Sequence, residues 1–202
     1  YAGGEILDPL ALQITGNDAI TDWVLVKLRF PNDPAVVVAE RAALVQRDGD
    51  VVDMDGVSPL SFAIPGSGYS YSVHHRNHLG VMALGSFLVN TNTTVAPPDI
   101  TDPAIPAYGT DARKLVSGAA ALWPGDVARD GSIKYIGPDN DRDQILVAVG
   151  GTTPNNTITA YRAEDLTLDG VVKYTGAGND RDPMLISVGS TTPNNIRIAQ
   201  LP

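Results

Sequence analysis

"DVARDGSIKYIGPDNDRDQILVAVGGTTPNN", residues 126–156, returns 39 residues later without a gap as "DLTLDGVVKYTGAGNDRDPMLISVGSTTPNN", residues 165–195. Asp126/Asp165, Asp130/Asp169, Gly131/Gly170, Lys134/Lys173, Tyr135/Tyr174, Gly137/Gly176, the Asn-Asp-Arg-Asp block and the closing "TTPNN" are all kept. That density of identities marks a duplication. Two copies are too few to stack as a solenoid, so the pair is predicted to share one small core about a two-fold relation.

Each copy opens Asp-x-x-x-Asp-Gly. In an EF-hand-type loop, positions 1, 3 and 5 supply side-chain oxygens and position 6 is a glycine at a sharp turn. Position 7 supplies a backbone carbonyl, and an acid at 12 closes the shell. Asp126 and Asp165 fall at position 1, Asp130 and Asp169 at 5, and Ser132 and Val171 at 7. Ile133 and Val172, at position 8, are placed to plug the loop into a core. Position 3 is Ala128 in one copy and Thr167 in the other, and position 12 is Gly137 or Gly176. The reading is an enlarged loop that runs on to Asn140, Asp141 and Asp143, or to Asn179, Asp180 and Asp182, which take over the closing role. Gathering so many carboxylates in an apolar setting is costly unless a cation neutralises them. The composition of the loops therefore points to Ca²⁺, about two ions in all. Asx turns with helix capping, or Mg²⁺, are the competing readings. A helix should follow each loop, with Asp143 and Asp182 as N-caps, Pro183 in the first helical position, and ends at Gly150 and Gly189.

Upstream the pattern is β. In "WVLVKLRF" (23–30) Val24, Val26, Leu28 and Phe30 share one face, wholly apolar and predicted to face the core, while Trp23, Leu25, Lys27 and Arg29 share the other. "AVVVAERAALVQ" (35–46), "PLSFAI" (59–64) and "YSYSVHHRNHLGVMAL" (69–84) read as further strands. Between them "PNDP", "RDGD", "MDGV" and "PGSG" read as turns. The expected fold is mainly β. An antiparallel β-sandwich of the Ig/Cna-B-like kind spans 21–90, preceded by an extended arm or strand at 1–20. A proline-rich linker or crossover follows at 91–109, and the duplicated module with short helices occupies 110–202. "TDARKLVSG" (110–118) reads as a short helix between Thr110 and Gly118.

Composition narrows the function. A net charge of −9 argues against nucleic acid, which calls for clustered Lys and Arg. No run of about 18 apolar residues is present, so no membrane-spanning helix is expected. With no cysteine, disulfides, thiolate catalysis and Cys-type metal sites are excluded. A first residue of Tyr rather than Met reads as a mature chain whose signal peptide has been removed.

The duplicated loops resemble dockerin modules, in which two calcium loops, each followed by a helix, make one compact unit. Over nearly the whole chain beyond residue 20, "DWVLVKLR", "RAALVQRDGDVVDMDGVSPLSF", "VHHRNHLGVM" and the "KYTG…NDRDP…VGSTTPNN" units resemble a group of secreted surface proteins of Bacteroidota. The resemblance implies an extracellular or cell-surface location, a calcium-braced C-terminal module and no enzymatic activity. The expected role is a structural, surface or filament-forming subunit joined head to tail, with the N-terminal arm adding a strand to a neighbour's sheet edge. The alternative is a carbohydrate- or protein-binding adhesin, for which Tyr69, Tyr71, Tyr108 and Trp123 are the candidate glycan platform. Trp23 and Trp123 are read as core anchors. His74, His75 and His78 of "HHRNH" are read as hydrogen-bonding residues at a strand end rather than zinc ligands, beside Arg76 and Asn77 in a turn that recognises carbonyls. "NTT" (92–94) and "NNT" (155–157) match a glycan-acceptor pattern.

Overall fold

The structure, a computed structural model, describes residues 4–89 and 97–202. Part of the expected arm (1–3) and of the expected linker, with the Asn92 acceptor triplet, lies outside the described residues. The chain divides into two compact units. One comprises residues up to His75, Val81–Ala121 and Gln200–Pro202; the other comprises Arg76–Gly80 and Leu122–Ala199.

The first unit is built on a long hairpin. β1 (Ile20–Phe30) pairs with β2 (Asp33–Gln46) antiparallel, from Ile20 opposite Gln46 to Phe30 opposite Asp33. β3 (Val51–Val52), β4 (Ser67–His74), β5 (Val81–Met82) and β6 (Phe87–Val89) complete one sheet, ordered β3-β2-β1-β4-β5 with β6 on β4. The alternation expected of β1 holds for Val24, Val26 and Leu28, which are buried, but Phe30 at the strand end is 47% exposed. "AVVVAERAALVQ" is one strand, β2, and "PLSFAI" is not a strand but makes a single bridge from Val52 to Pro59.

The N-terminal residues are not a loose arm. Asp8 N–H donates to Met54 O, and the Asp8 carboxylate caps a 3-10 turn over Pro9–Gln13 through Leu10 N–H. Ala11 is fully buried against Leu44, Val52 and Met54. Glu5 Oε1 accepts from Ala42 N–H at 3.3 Å. The segment was expected to extend because its apolar residues lack periodicity. It folds by burying Ala11 and packing Leu7 on Leu44, Val52 and Met54, and Gly56, at φ 79°, leaves room for this, since a side chain there would strike Ala11 and Ile14.

"TDARKLVSG" is not a helix either. Lys114–Val116 (β7) and Ala119–Ala121 (β8) form a hairpin whose two-residue turn, Ser117 and Gly118, has φ values of 50° and 91°. Two positive φ angles are what a tight hairpin demands, and the Ser-Gly pair is the local signal for it. Arg113 fixes its approach by donating to the carbonyls of Ile100, Asp102 and Ile105. Residues 97–121 thus pack within the first unit instead of linking two domains.

In the second unit, the first copy supplies β9 (Ser132–Lys134) and α1 (Asp141–Ala148), followed by β10 (Thr157–Thr159). The second supplies β11 (Val171–Lys173) and α2 (Arg181–Ser187), followed by β12 (Ile196–Ile198). The pairing is crossed: β10 lies on β11 and β12 on β9, so each copy's trailing strand covers the other copy's loop. The predicted shared core is present. Ile133, Ile145, Val172 and Met184 are fully buried together, with Trp123 packed against them.

On the sheet of the first unit, Ser72 Oγ lies 3.1 Å from Arg29 Nε and 3.0 Å from His74 Nε2. The hydroxyl accepts from the guanidinium and shares a second hydrogen bond with the imidazole. Burial, followed by the charges of Lys27 and Arg29, lowers the His74 pKa to about 4. A histidine depressed in this way favours the fold above its ordinary value of about 6.5 and loses that contribution as pH falls towards 4. Denaturant titrations between pH 7 and pH 4.5 should therefore show the wild type losing stability more steeply than His74→Gln, with parallel curves refuting the assignment.

Candidate cation-binding loops

The duplicated loops are backbone constructions first. In each copy the residue before the closing Asp-Gly has positive φ, Arg129 at 59° and Leu168 at 58°, and the glycines at 131 and 170 repeat at 79° and 81°. This winding turns consecutive N–H groups inward, and the conserved aspartates collect them. Asp126 Oδ1 accepts from Asp130 N–H (3.0 Å) and Oδ2 from Gly131 N–H (3.2 Å). Asp165 does the same with Asp169 (3.2 Å) and Gly170 (3.0 Å). Asp130 accepts from Ser132 N–H and Oγ–H, and Asp169 from Val171 N–H.

The closing residues are Asp141 and Asp180, which return from the helix ends into the loops. Asp141 Oδ1 accepts from Ala128 N–H at 3.0 Å and Oδ2 from Lys134 N–H at 2.9 Å. Asp180 Oδ1 accepts from Leu166 and Thr167 N–H at 2.8 and 3.0 Å, and Oδ2 from Lys173 N–H at 2.7 Å. Both are buried, at 1% and 0% exposure.

The expected caps need correcting. Asn140, not Asp143, caps α1, its Oδ1 accepting from Asp143 N–H at 3.0 Å. Asn179 does the corresponding work for α2 through Arg181 and Asp182 N–H, so Pro183 stands third in the helix instead of first. An Asn holds the position because its Nδ2 also donates, to Gly137 O and Asp143 in one copy and to Gly176 O and Asp182 in the other. Asp143 and Asp182 are exposed on the cap's outer side. The expected C-terminal glycines, Gly150 and Gly189, stand just past the helix ends with φ of 113° and 106°.

Within each loop two carboxylates face one another. Thr167 Oγ1 is 3.4 Å from Asp165 Oδ1 and 3.2 Å from Asp180 Oδ1, so one hydroxyl spans the pair. In the first copy, where Ala128 offers no hydroxyl, burial and then the Asp141 charge push Asp126 up to about 6. Burial likewise raises Asp141 and Asp180, against the backbone N–H bonds that favour their ionised forms.

The second loop has a further partner. Arg76 Nη2 is 3.9 Å from Asp165 Oδ2, its guanidinium stacks on Tyr161 at 4.4 Å, and it donates to Arg162 O. Asn77, fully buried, donates through Nδ2 to Ala163 O at 2.8 Å and Asp165 O at 2.6 Å. The carbonyl-binding turn expected of "HHRNH" is thus Arg76 and Asn77. His78 Nδ1 bonds Asn77 Oδ1 and orients that amide. His75, by contrast, pairs with Asp22 at 3.1 Å in the first unit.

The donor chemistry suits a hard cation. Each buried carboxylate has about four lone-pair positions and gives only part of them to N–H donors. The second copy adds the Thr167 hydroxyl, and carbonyls such as those of Ser132 and Val171 are the other ligand type such loops use. Among the described residues no three acidic or imidazole side chains converge on one point. A shell here would rest on two carboxylates per loop, Asp126 with Asp141 and Asp165 with Asp180, completed by carbonyls and water. Asn140 and Asn179 serve as caps, and the outward carboxylates of Asp143 and Asp182 stand apart.

The candidate glycan platform is not formed from the residues expected. Tyr69 and Tyr71 are buried, and Trp123 is covered by the Arg197 guanidinium at 3.5 Å. No protein-family model matches the chain, and no curated protein or solved structure shows significant similarity to it.

A raised aspartate pKa makes the folded state bind protons that the unfolded state has lost. The stability associated with Asp126 is therefore greatest below about pH 4 and declines as pH rises through about 6. In the presence of chelator, the melting temperature of wild type relative to Asp126→Asn should rise as pH drops from 7 to 5. A constant difference across that range would refute the facing-carboxylate account. Asn77→Ala should destabilise the second unit by about 1–3 kcal/mol, the cost of stranding buried carbonyls, measured by urea denaturation at pH 7.

Proposed function

We propose that the chain is a non-catalytic extracellular structural subunit whose duplicated C-terminal unit is braced by calcium. The observation that supports it is the pair of buried, mutually repelling carboxylates set at the same place in both copies. Both copies keep that arrangement 39 residues apart, and the closeness of the acids disfavours the ionised fold, a cost that a cation between them would remove. A divalent ion supplies the missing positive charge. The chain's own contribution is to pre-order the oxygens: the N–H groups of the loop fix the carboxylates before an ion arrives.

In this reading the sheet of the first unit is the Ig/Cna-B-like half of the molecule and the second unit is the dockerin-like brace. The likeness to secreted surface proteins of Bacteroidota supplies the proposed location. Assembly with further copies belongs to the same proposal, but not through donation of the N-terminal segment, because residues from Glu5 onward are packed on their own unit.

Calcium that binds only the folded form at a hundred times its dissociation constant adds about 2.7 kcal/mol per site. For a unit of this size that corresponds to a melting-point rise of about 10 °C or more. Calorimetry of the full chain with calcium and with chelator, under light scattering, should show that rise. Asp141→Asn and Asp180→Asn should each diminish it. A melting point indifferent to chelator would overturn the proposal.

A further inference from the structure

Among the described residues only Leu44 and Val45 of β2 have a strand on their outer side, the short β3. Glu5 takes the neighbouring Ala42 N–H. From Asp33 to Arg41, "DPAVVVAER", no strand lies beyond β2 among the described residues. The middle of this edge is β-branched and open, with Val36 42% and Val37 38% exposed. The stretch is flanked by Asp33, Pro34, Glu40 and Arg41, residues that restrict which strand an edge accepts.

We propose that this edge is the interface for a second copy of the chain, two β2 strands pairing antiparallel about a two-fold axis at Val37. The charges select both the partner and the register. With Val37 opposite Val37, Val36 faces Val38, Ala35 faces Ala39, and Asp33 faces Arg41 of the other copy. Sliding by one residue instead sets Asp33 against Glu40, and like charges directly opposed destabilise a sheet pair. Glu40 is already matched by Lys27 at 3.2 Å, and Arg41 is held at the edge by Asp53 at 2.8 Å and by Ser61 O. Asp33 makes no ion pair within the described residues, so the guanidinium it meets in the paired edge is the complement its own chain does not give it.

Pro34 has no N–H, Val38 is the extra residue of a bulge between the pairs Leu28–Ala39 and Arg29–Val37, and a second irregularity between Arg29–Val37 and Phe30–Asp33 leaves Pro34, Ala35 and Val36 without partners on β1. The pairing is therefore short and centred on Ala35–Ala39, which predicts a dimer that dissociates on dilution. Because the contact is isologous it closes at two. It makes the dimer, not the monomer, the unit of any longer assembly. This inference rests on the self-assembly half of the proposed function and is independent of the cation.

The chain has no cysteine, so single cysteines report the register cleanly. At the two-fold, residue 37 meets its own copy within disulfide range. Under mild oxidation Val37→Cys should cross-link about ten-fold faster than Val36→Cys or Val38→Cys, whose like residues lie off the axis. Sedimentation velocity of the unmodified chain over a concentration series should show reversible dimer, with and without chelator. Val37→Lys should be monomeric at the same melting temperature. A monomer at every concentration, equal cross-linking at the three positions, or a dimer untouched by Val37→Lys would each overturn it. A dimer that passes these tests in a protein without a calcium response would sustain the interface while removing the cation brace.

Discussion

Two carboxylates at the heads of two short helices hold the second unit together. Asp141 and Asp180 each accept N–H groups from both ends of the loop that precedes them, so the loop cannot open without stripping a buried anion of its partners. The helix start, the loop winding and the strand that follows the loop are fixed by this one contact. The hydrophobic plug then follows, because closing the loop turns Ile133 and Val172 into the shared core. Buried carboxylates unpaired with a cation would ordinarily be a liability. Here several oriented backbone dipoles offset part of that cost, and the remaining electrostatic tension is what a divalent ion would relieve.

The two copies do not carry this tension equally. In the second, Thr167 bridges the facing acids and Arg76 approaches Asp165 from a segment far upstream. In the first, Ala128 has no hydroxyl to bridge the acids and gives only its N–H to Asp141, and Asp126 is left with the raised proton affinity. Duplication preserved the scaffold while the surroundings diverged, so the first loop holds the less compensated pair of acids.

Local patterns carried much of this into the sequence, and contacts distant along the chain carried the rest. The duplication, the Asp-Gly turns, the core role of positions 133 and 172 and the terminal glycines were legible because each is set by neighbours within a few residues. So was the alternation of Val24, Val26 and Leu28. The choice between Asn140 and Asp143 as the cap was not: both suit an N-cap, and what decides it is the return of Asp141 into the loop. Arg76 and Asn77 were recognised as carbonyl binders, but their targets lie more than 80 residues away, beyond any periodicity argument. Lys114–Ala121 was misread because a Ser-Gly hairpin turn and a glycine helix stop look alike when the flanking run is short. The apolar N-terminal residues were misread because a 3-10 turn leaves no regular pattern.

The crossed strands have a consequence for how such a module can evolve. Because β10 covers the second loop and β12 returns to cover the first, the two copies complete a ring of mutual obligations with no open place. A lone copy would present a bare strand and an idle tail. Neither copy is complete without the other's trailing strand, so the module is inherited or lost as a pair.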